Sequence, residues 1–184
     1  MFRKWLENNN VDDFSFNGKL FPKANDREFW DNKYKDSYIK EAEQYINFSW
    51  PVAKATDFMA FKVTGNRLKQ ENPYFKRREA LFALMRAELV EYKGRFLPDI
   101  LNGIFAILEE TYWGLSAHFI HKSSAERVYE NIPDSKNDYI DLFAAETGSA
   151  ISVWYYLFYD EFNNFCPEIL RYAEDEIERR ILKP

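Results

Sequence analysis

Beyond residue 25 the chain is cut at intervals by residues that a helix interior tolerates poorly, and between the cuts nothing alternates in the manner of a strand. Asp26 offers an N-cap, Trp50-Pro51 and Asn72-Pro73 restrict the backbone, Gly65 supplies a stop, and Pro98 and Pro167 suit first turns. Apolar residues recur at helical spacing in between. The pattern predicts helices from about Asp26 to Phe48, Trp50-Pro51 to Gly65 and Asn72-Pro73 to Lys93-Gly94. It predicts three more from Pro98-Asp99 to Trp113, Asp138 to Tyr159 and Pro167 to Leu182. Asp138 with Asp141 resembles a capping box. Residues 114–137, with Gly114, several serines and Pro133, read as a long loop. Residues 1–25, with Asn8-Asn9-Asn10 and Asn17-Gly18, read as a polar, loosely docked arm. Short connections favour antiparallel neighbours, so the expected fold is all-α, a series of α/α hairpins over residues 26–184.

A chain of 184 residues with 46% hydrophobic content can bury one core. Its 18% aromatic content is high, and most of those rings belong to that core; only a cluster in a cleft would argue for sugar stacking. The net charge of −5 argues against general nucleic-acid binding, and an anionic polymer would need a locally basic groove. Cys166 is the sole cysteine, which excludes an intrachain disulfide and a Cys-rich zinc site. The opening residues lack the apolar run of a signal peptide and no later segment is long and apolar enough to span a bilayer. The chain as given therefore reads as cytoplasmic, with no membrane partner. Gly-rich phosphate loops and nucleophile elbows are absent, and no cofactor is expected.

Three expected helices carry a carboxylate inside an apolar stripe. Glu88 lies among Leu81, Leu84, Met85 and Tyr92; Glu146 among Leu142, Phe143, Ala150 and Val153; Glu110 beside Gly103, Ala106 and Trp113. A buried carboxylate needs a partner, and Arg67, Arg77, Arg78 and Arg86 are the supply. These acids either tie helices together, by ion pairs or by capping neighbouring helix N-termini, or line a cleft. For Glu110, next to Trp113 and the loop with His118, the cleft reading is as strong as the structural one. His118 and His121 are the only histidines; their spacing could set both on one turn, but no third ligand is specified and no metal site is expected. Glu109 and Glu110 cannot be a glycosidase acid–base pair, because helix neighbours point about 100° apart.

The residues also carry a resemblance. Gly65-Asn66-Arg67, Tyr74-Phe75-Lys76-Arg77-Arg78, Ala87-Glu88-Leu89 and Gly94-Arg95-Phe96-Leu97 follow one another in order. They continue through Ile100-Leu101-Asn102-Gly103-Ile104, Glu109-Glu110, Trp113, His118, Ile140 to Thr147 and Arg179 to Pro184. Together these stretches resemble the N-terminal helical region of heparinase II/III-like polysaccharide lyases, over roughly residues 50–184. The resemblance implies part of an (α/α) toroid that ends before the catalytic half. It implies β-elimination on acidic, uronate-containing polysaccharides, with an Asn or His, a Tyr and a further His beyond this chain doing the chemistry. No catalytic residue is carried over. Asn66, Arg67, Glu110, Trp113 and His118 are carried over as the substrate-facing wall, with Trp113 stacking on a sugar and Arg67 meeting a carboxylate or pairing with Glu88 or Glu146. Half a toroid would leave apolar faces open, so the apolar Ile151–Tyr159 run suggests self-association. A non-catalytic oligosaccharide-binding module and a structural scaffold are the alternatives.

Overall fold

The computed structural model describes residues 21–31, 33–118, 130–133 and 140–183, and every regular element among them is helical. The first expected helix is split into α1 (Arg27–Trp30) and α2 (Lys35–Glu43). Asp26 does cap, its carboxylate accepting the Phe29 N–H at 3.2 Å. That turn is then held from outside. Arg27 donates to the carbonyls of Leu89 and Val90 at 2.7 and 3.0 Å, and the Trp30 indole donates to the Lys23 carbonyl at 2.8 Å. The chain leaves through an extended Asp31. α2 stops short of Phe48 because Asn47 turns left-handed (φ 57°) and gives its N–H to Asp99.

α3 (Ala55–Thr64) starts later than Pro51 suggests and ends as expected on Gly65 at φ 74°. α4 (Leu68–Glu91) starts earlier than Asn72-Pro73 suggests and keeps Pro73 inside. Ahead of that start the Asn66 side chain accepts the Leu68 N–H at 3.1 Å, a local turn that leads the chain into the helix. α5 (Leu97–Leu108) opens with Pro98 in its first turn but ends before Trp113. Ser116–His118 forms a single 3₁₀ turn. α6 (Leu142–Phe165) is capped by Asp141, which accepts the Ala144 N–H at 2.7 Å, and kinks at Phe158. The cap expected at Asp138, and most of the 114–137 loop, lie outside the described residues. α7 (Pro167–Ile177) begins on Pro167 and continues as a wider turn, Glu178–Leu182. No helix among the described residues is long and apolar enough to cross a membrane.

Side-chain pairings give the directions. α2 runs against α4, with Glu41 on Arg86 and Tyr45 on Glu79. α4 and α5 form an antiparallel hairpin, since Glu88 meets Phe96 near the turn while Arg77 meets Glu110 at the far end. α6 and α7 form a second one, with Tyr155 bonded to Glu174 and Gly148 against Ile181. The hairpins then lie with like helices parallel. Tyr74 meets Thr147 and Tyr92 meets Glu161 between α4 and α6, whereas Phe105 meets Tyr172 and Leu108 meets Arg180 between α5 and the α7 end.

Leu81, Leu84, Ile100, Ile104, Ile107, Trp113, Ile151, Trp154 and Phe158 make the centre of the core. On α4, Leu81, Leu84, Met85 and Glu88 are buried together as expected, while Tyr92 lies just past the helix end at φ 52° and is half-buried; the stripe on α6 is out of phase. Leu142 is 74% and Val153 49% exposed, and Glu146 faces outward with them. Ala144, Thr147, Gly148, Ile151, Trp154 and Phe158 point inward instead. The Ile151–Tyr159 run is accordingly divided, with Ile151, Trp154, Leu157 and Phe158 buried and Tyr159 exposed. The N-terminal arm is docked where it is described. Ala24 is fully buried and donates its N–H to the Leu157 carbonyl, and Phe21 accepts from the Tyr156 hydroxyl.

On α5, Gly103 is required by a close approach. A Cβ there would lie 2.4 Å from the tip of the Trp50 ring and 2.8 Å from the next carbon. Gly103→Ala improves helix propensity by about 1 kcal/mol but forces a rigid indole to move, and overpacking costs about 1–3 kcal/mol. The expected result is a net loss of stability in urea denaturation; a stabilised variant would show that Trp50 gives way freely.

Candidate functional site

Glu110 is the hub of the polar cluster. It lies just beyond α5, where its carboxylate meets two arginines that adjoin in sequence on α4. Arg77 donates its Nε at 2.5 Å, and Arg78 donates Nη1 and Nη2 to the two oxygens at 2.9 Å each. Both the Glu110 and Arg77 side chains are 3% exposed. Such a two-point contact between guanidinium and carboxylate fixes orientation as well as charge.

Arg78 carries the cluster outward to α6. Its Nη2 also reaches the Thr147 hydroxyl at 2.9 Å, its Nη1 the Tyr74 carbonyl, and its guanidinium stacks 3.4 Å from the Tyr74 ring centre. The Tyr74 hydroxyl joins three segments, lying 2.9 Å from the Trp113 carbonyl, 2.9 Å from Thr147 Oγ1 and 3.2 Å from the Phe143 carbonyl. Burial pushes the Tyr74 hydroxyl pKa up, with Arg78 and the Thr147 bond working against that. The turn after α7 closes the cluster. Arg180 donates to the Glu110 and Leu108 carbonyls at 2.7 and 3.3 Å, pairs with Glu176 at 2.5 Å and sits over the Trp113 ring at 4.8 Å. Those carbonyls mark where α5 stops, and their capture by Arg180 is the physical reason that the helix ends before Trp113.

The five residues expected to share a substrate-facing wall are distributed as follows. Trp113 is 1% exposed and donates its indole N–H to the Ile107 carbonyl at 2.9 Å, so its ring belongs to the core. Glu110 is neutralised by Arg77 and Arg78. Arg67 pairs with Glu71 one turn on, not with Glu88 or Glu146, and Asn66 accepts the Leu68 N–H just ahead of α4; both stand at the exposed start of that helix. His118 is half-buried, with Nδ1 2.8 Å from Asp141, the residue that caps α6, and with Phe143 beside its ring. Among the described residues, Trp113 thus lies in the core, Glu110 is held by Arg77 and Arg78, and His118 faces Asp141. His121 lies outside the described residues, and no group of three or more metal-ligating side chains is assembled among those described.

No family model matches this chain, and no curated protein matches it. The cluster therefore stands on its own geometry. Sequence reasoning missed Tyr74, Thr147 and Arg180 as its junctions. Thr147 was hidden by the wrong phase of α6, and Arg180 by lying far away in the chain. Two open spaces flank the cluster. One is a groove of about 320 Å3 between α4 and α6, with Phe75, Phe82, Ala150 and Ile151 around Arg78. The other is a pocket of about 230 Å3 between residues 50–53 and α5, lined by Arg77 and Glu110.

Glu88 has a separate role. Its carboxylate accepts the N–H groups of Gly94 at 2.7 Å and Phe96 at 3.2 Å, closing the α4–α5 turn. Burial raises its pKa above the ordinary 4.5, with the negative charges of Glu91 and Glu161 adding to the rise and the two N–H bonds opposing it. A carboxyl held more strongly protonated in the folded chain adds stability below 4.5 that is lost as pH rises through the raised value. Glu88→Gln cannot titrate, so the wild-type-minus-variant difference in urea stability should fall across that interval. A difference that does not change with pH would overturn this assignment.

Proposed function

We propose that the chain forms part of the helical toroid of a heparinase II/III-like polysaccharide lyase, binding acidic, uronate-containing chains without catalysing their elimination by itself. The observation that carries the reading is convergence. The separate stretches with the resemblance, at 74–78, 109–118, 140–147 and 179–180, meet in the single Arg77–Arg78–Glu110–Tyr74–Thr147–Arg180 network. Two antiparallel hairpins with like helices parallel are the repeating unit such a toroid stacks. In this reading the network is the brace between successive hairpins. Self-association through the exposed Phe75 and Phe82 of the α4–α6 groove belongs to the same proposal.

Affinity electrophoresis of the chain in gels containing a uronate polymer tests it, with a neutral polymer as control. Retardation by the acidic polymer alone is expected, without growth of the ultraviolet absorbance of unsaturated uronate ends. Equal mobility in both gels would remove the reading. A second reading, a helical scaffold, is favoured by one observation: the polar atoms of Glu110 and the Trp113 indole are already satisfied inside the protein.

A further inference from the structure

The groove between α4 and α6 is apolar and open among the described residues. Phe75 and Phe82, two turns apart on α4, are 43% and 38% exposed on one wall, and Ala150 and Ile151 belong to the other. The Arg78 guanidinium at its base is committed to Glu110, Thr147 and the Tyr74 carbonyl. The space of about 320 Å3 therefore suits an apolar occupant better than an anion.

The first described residues lead to it. Ala24 is fully buried on α6 with its N–H on the Leu157 carbonyl at 3.0 Å, Lys23 pairs with Asp160, and the Phe21 carbonyl accepts from the Tyr156 hydroxyl at 2.7 Å. Ala150 precedes Leu157 by two helical turns, so the groove continues the edge of α6 on which this stretch is already seated. From Leu157 back to Glu146, at the far rim, the helix rises about 17 Å. The seven residues 14–20 that precede Phe21 reach about 23 Å when extended. Their composition suits the space. Phe14 and Phe16, two apart, fall on one side of an extended chain, and Asn17-Gly18 permits a change of direction on the way in. Lys19 is the one charge of the segment, opposite in sign to the exposed Glu79 and Glu146 of the groove.

We infer that residues 14–20 of the same chain occupy the α4–α6 groove, seating Phe14 and Phe16 against Phe75 and Phe82 and withholding that face from a second copy. Tethered beside the groove, the segment acts at an effective concentration on the order of 1 mM, whereas a second copy acts only at its own concentration. Self-association through Phe75 and Phe82 is thus restricted to chains whose segment has been displaced, and the arm regulates that contact.

Thiol labelling of the full chain tests this. Cys166→Ser removes the native thiol and Ala150→Cys places one in the groove wall. At micromolar protein, its reaction with an aromatic disulfide reagent is expected to become at least about tenfold faster when Phe14→Ser and Phe16→Ser are added, as for a groove covered about nine-tenths of the time. The same pair of substitutions is expected to bring on concentration-dependent sedimentation, while the chain with both phenylalanines stays monomeric. Equal labelling rates with and without the pair would overturn the occupant. So would protection that rises with protein concentration in both chains, because a second copy then covers the groove. A doubly substituted chain that stays monomeric overturns the regulatory role. Should Ala150→Cys fail to fold, Glu146→Cys at the exposed rim gives the same comparison and decides.

Discussion

Replacing Glu110 with glutamine is expected to lower the stability of the chain by about 3–5 kcal/mol, because it leaves Arg77 and Arg78 buried without their counter-charge. Stabilities of single domains are about 5–15 kcal/mol, so the loss is a large fraction of the whole. The effect comes less from the attraction forgone than from two desolvated cations facing each other across a neutral amide. Glu109→Gln, next door, is the control. Glu109 is exposed and its carboxylate accepts from the Tyr172 hydroxyl, so a change below about 1 kcal/mol is expected. Urea denaturation of both variants measures this, and similar losses at 109 and 110 would contradict the hub assigned to Glu110.

Trp113→Ala is the second large effect, expected to cost about 3–5 kcal/mol through the cavity that it leaves. The ring is surrounded by core residues, its indole N–H serves the Ile107 carbonyl, and Arg180 stacks on it. Any loss of sugar affinity in this variant should follow the loss of folded protein. Thermal and chemical denaturation set beside binding separate the two. A stable Trp113→Ala chain with reduced affinity would return Trp113 to a substrate-facing role.

Helix punctuation was the most legible feature because it depends on local chemistry. Gly65 ends α3, Pro98 sits in the first turn of α5 and Pro167 opens α7, each for reasons confined to its own backbone. The α4 stripe was legible too, and so was the capping alternative for Glu88, since Leu81, Leu84, Met85 and Glu88 are all buried on one face. The α6 stripe was misread because large apolar residues occupy both sides. The true inner face uses Ala144, Thr147 and Gly148, whose value is their small size against Ile181 and Arg78. Hydrophobicity alone cannot reveal that. Helix ends set by distant groups were equally out of reach. Arg27 at the end of α4, Pro51 under Arg77 and Leu108 under Arg180 are contacts between residues far apart in the chain. The cluster's members could be nominated one at a time, but their order around Glu110 depends on that long-range pairing.

The grip of Arg180 on the carbonyls of Leu108, Glu110 and Thr111 spans about seventy residues of sequence, and it has a bearing on biogenesis. During synthesis α4 and α5 can pair as soon as they emerge, yet the carbonyls at the end of α5 meet Arg180 only once the turn after α7 has followed. Bringing those ends together costs loop entropy that only late contacts repay. Emergence of that turn, more than the appearance of any early helix, is therefore the event that locks the two hairpins together.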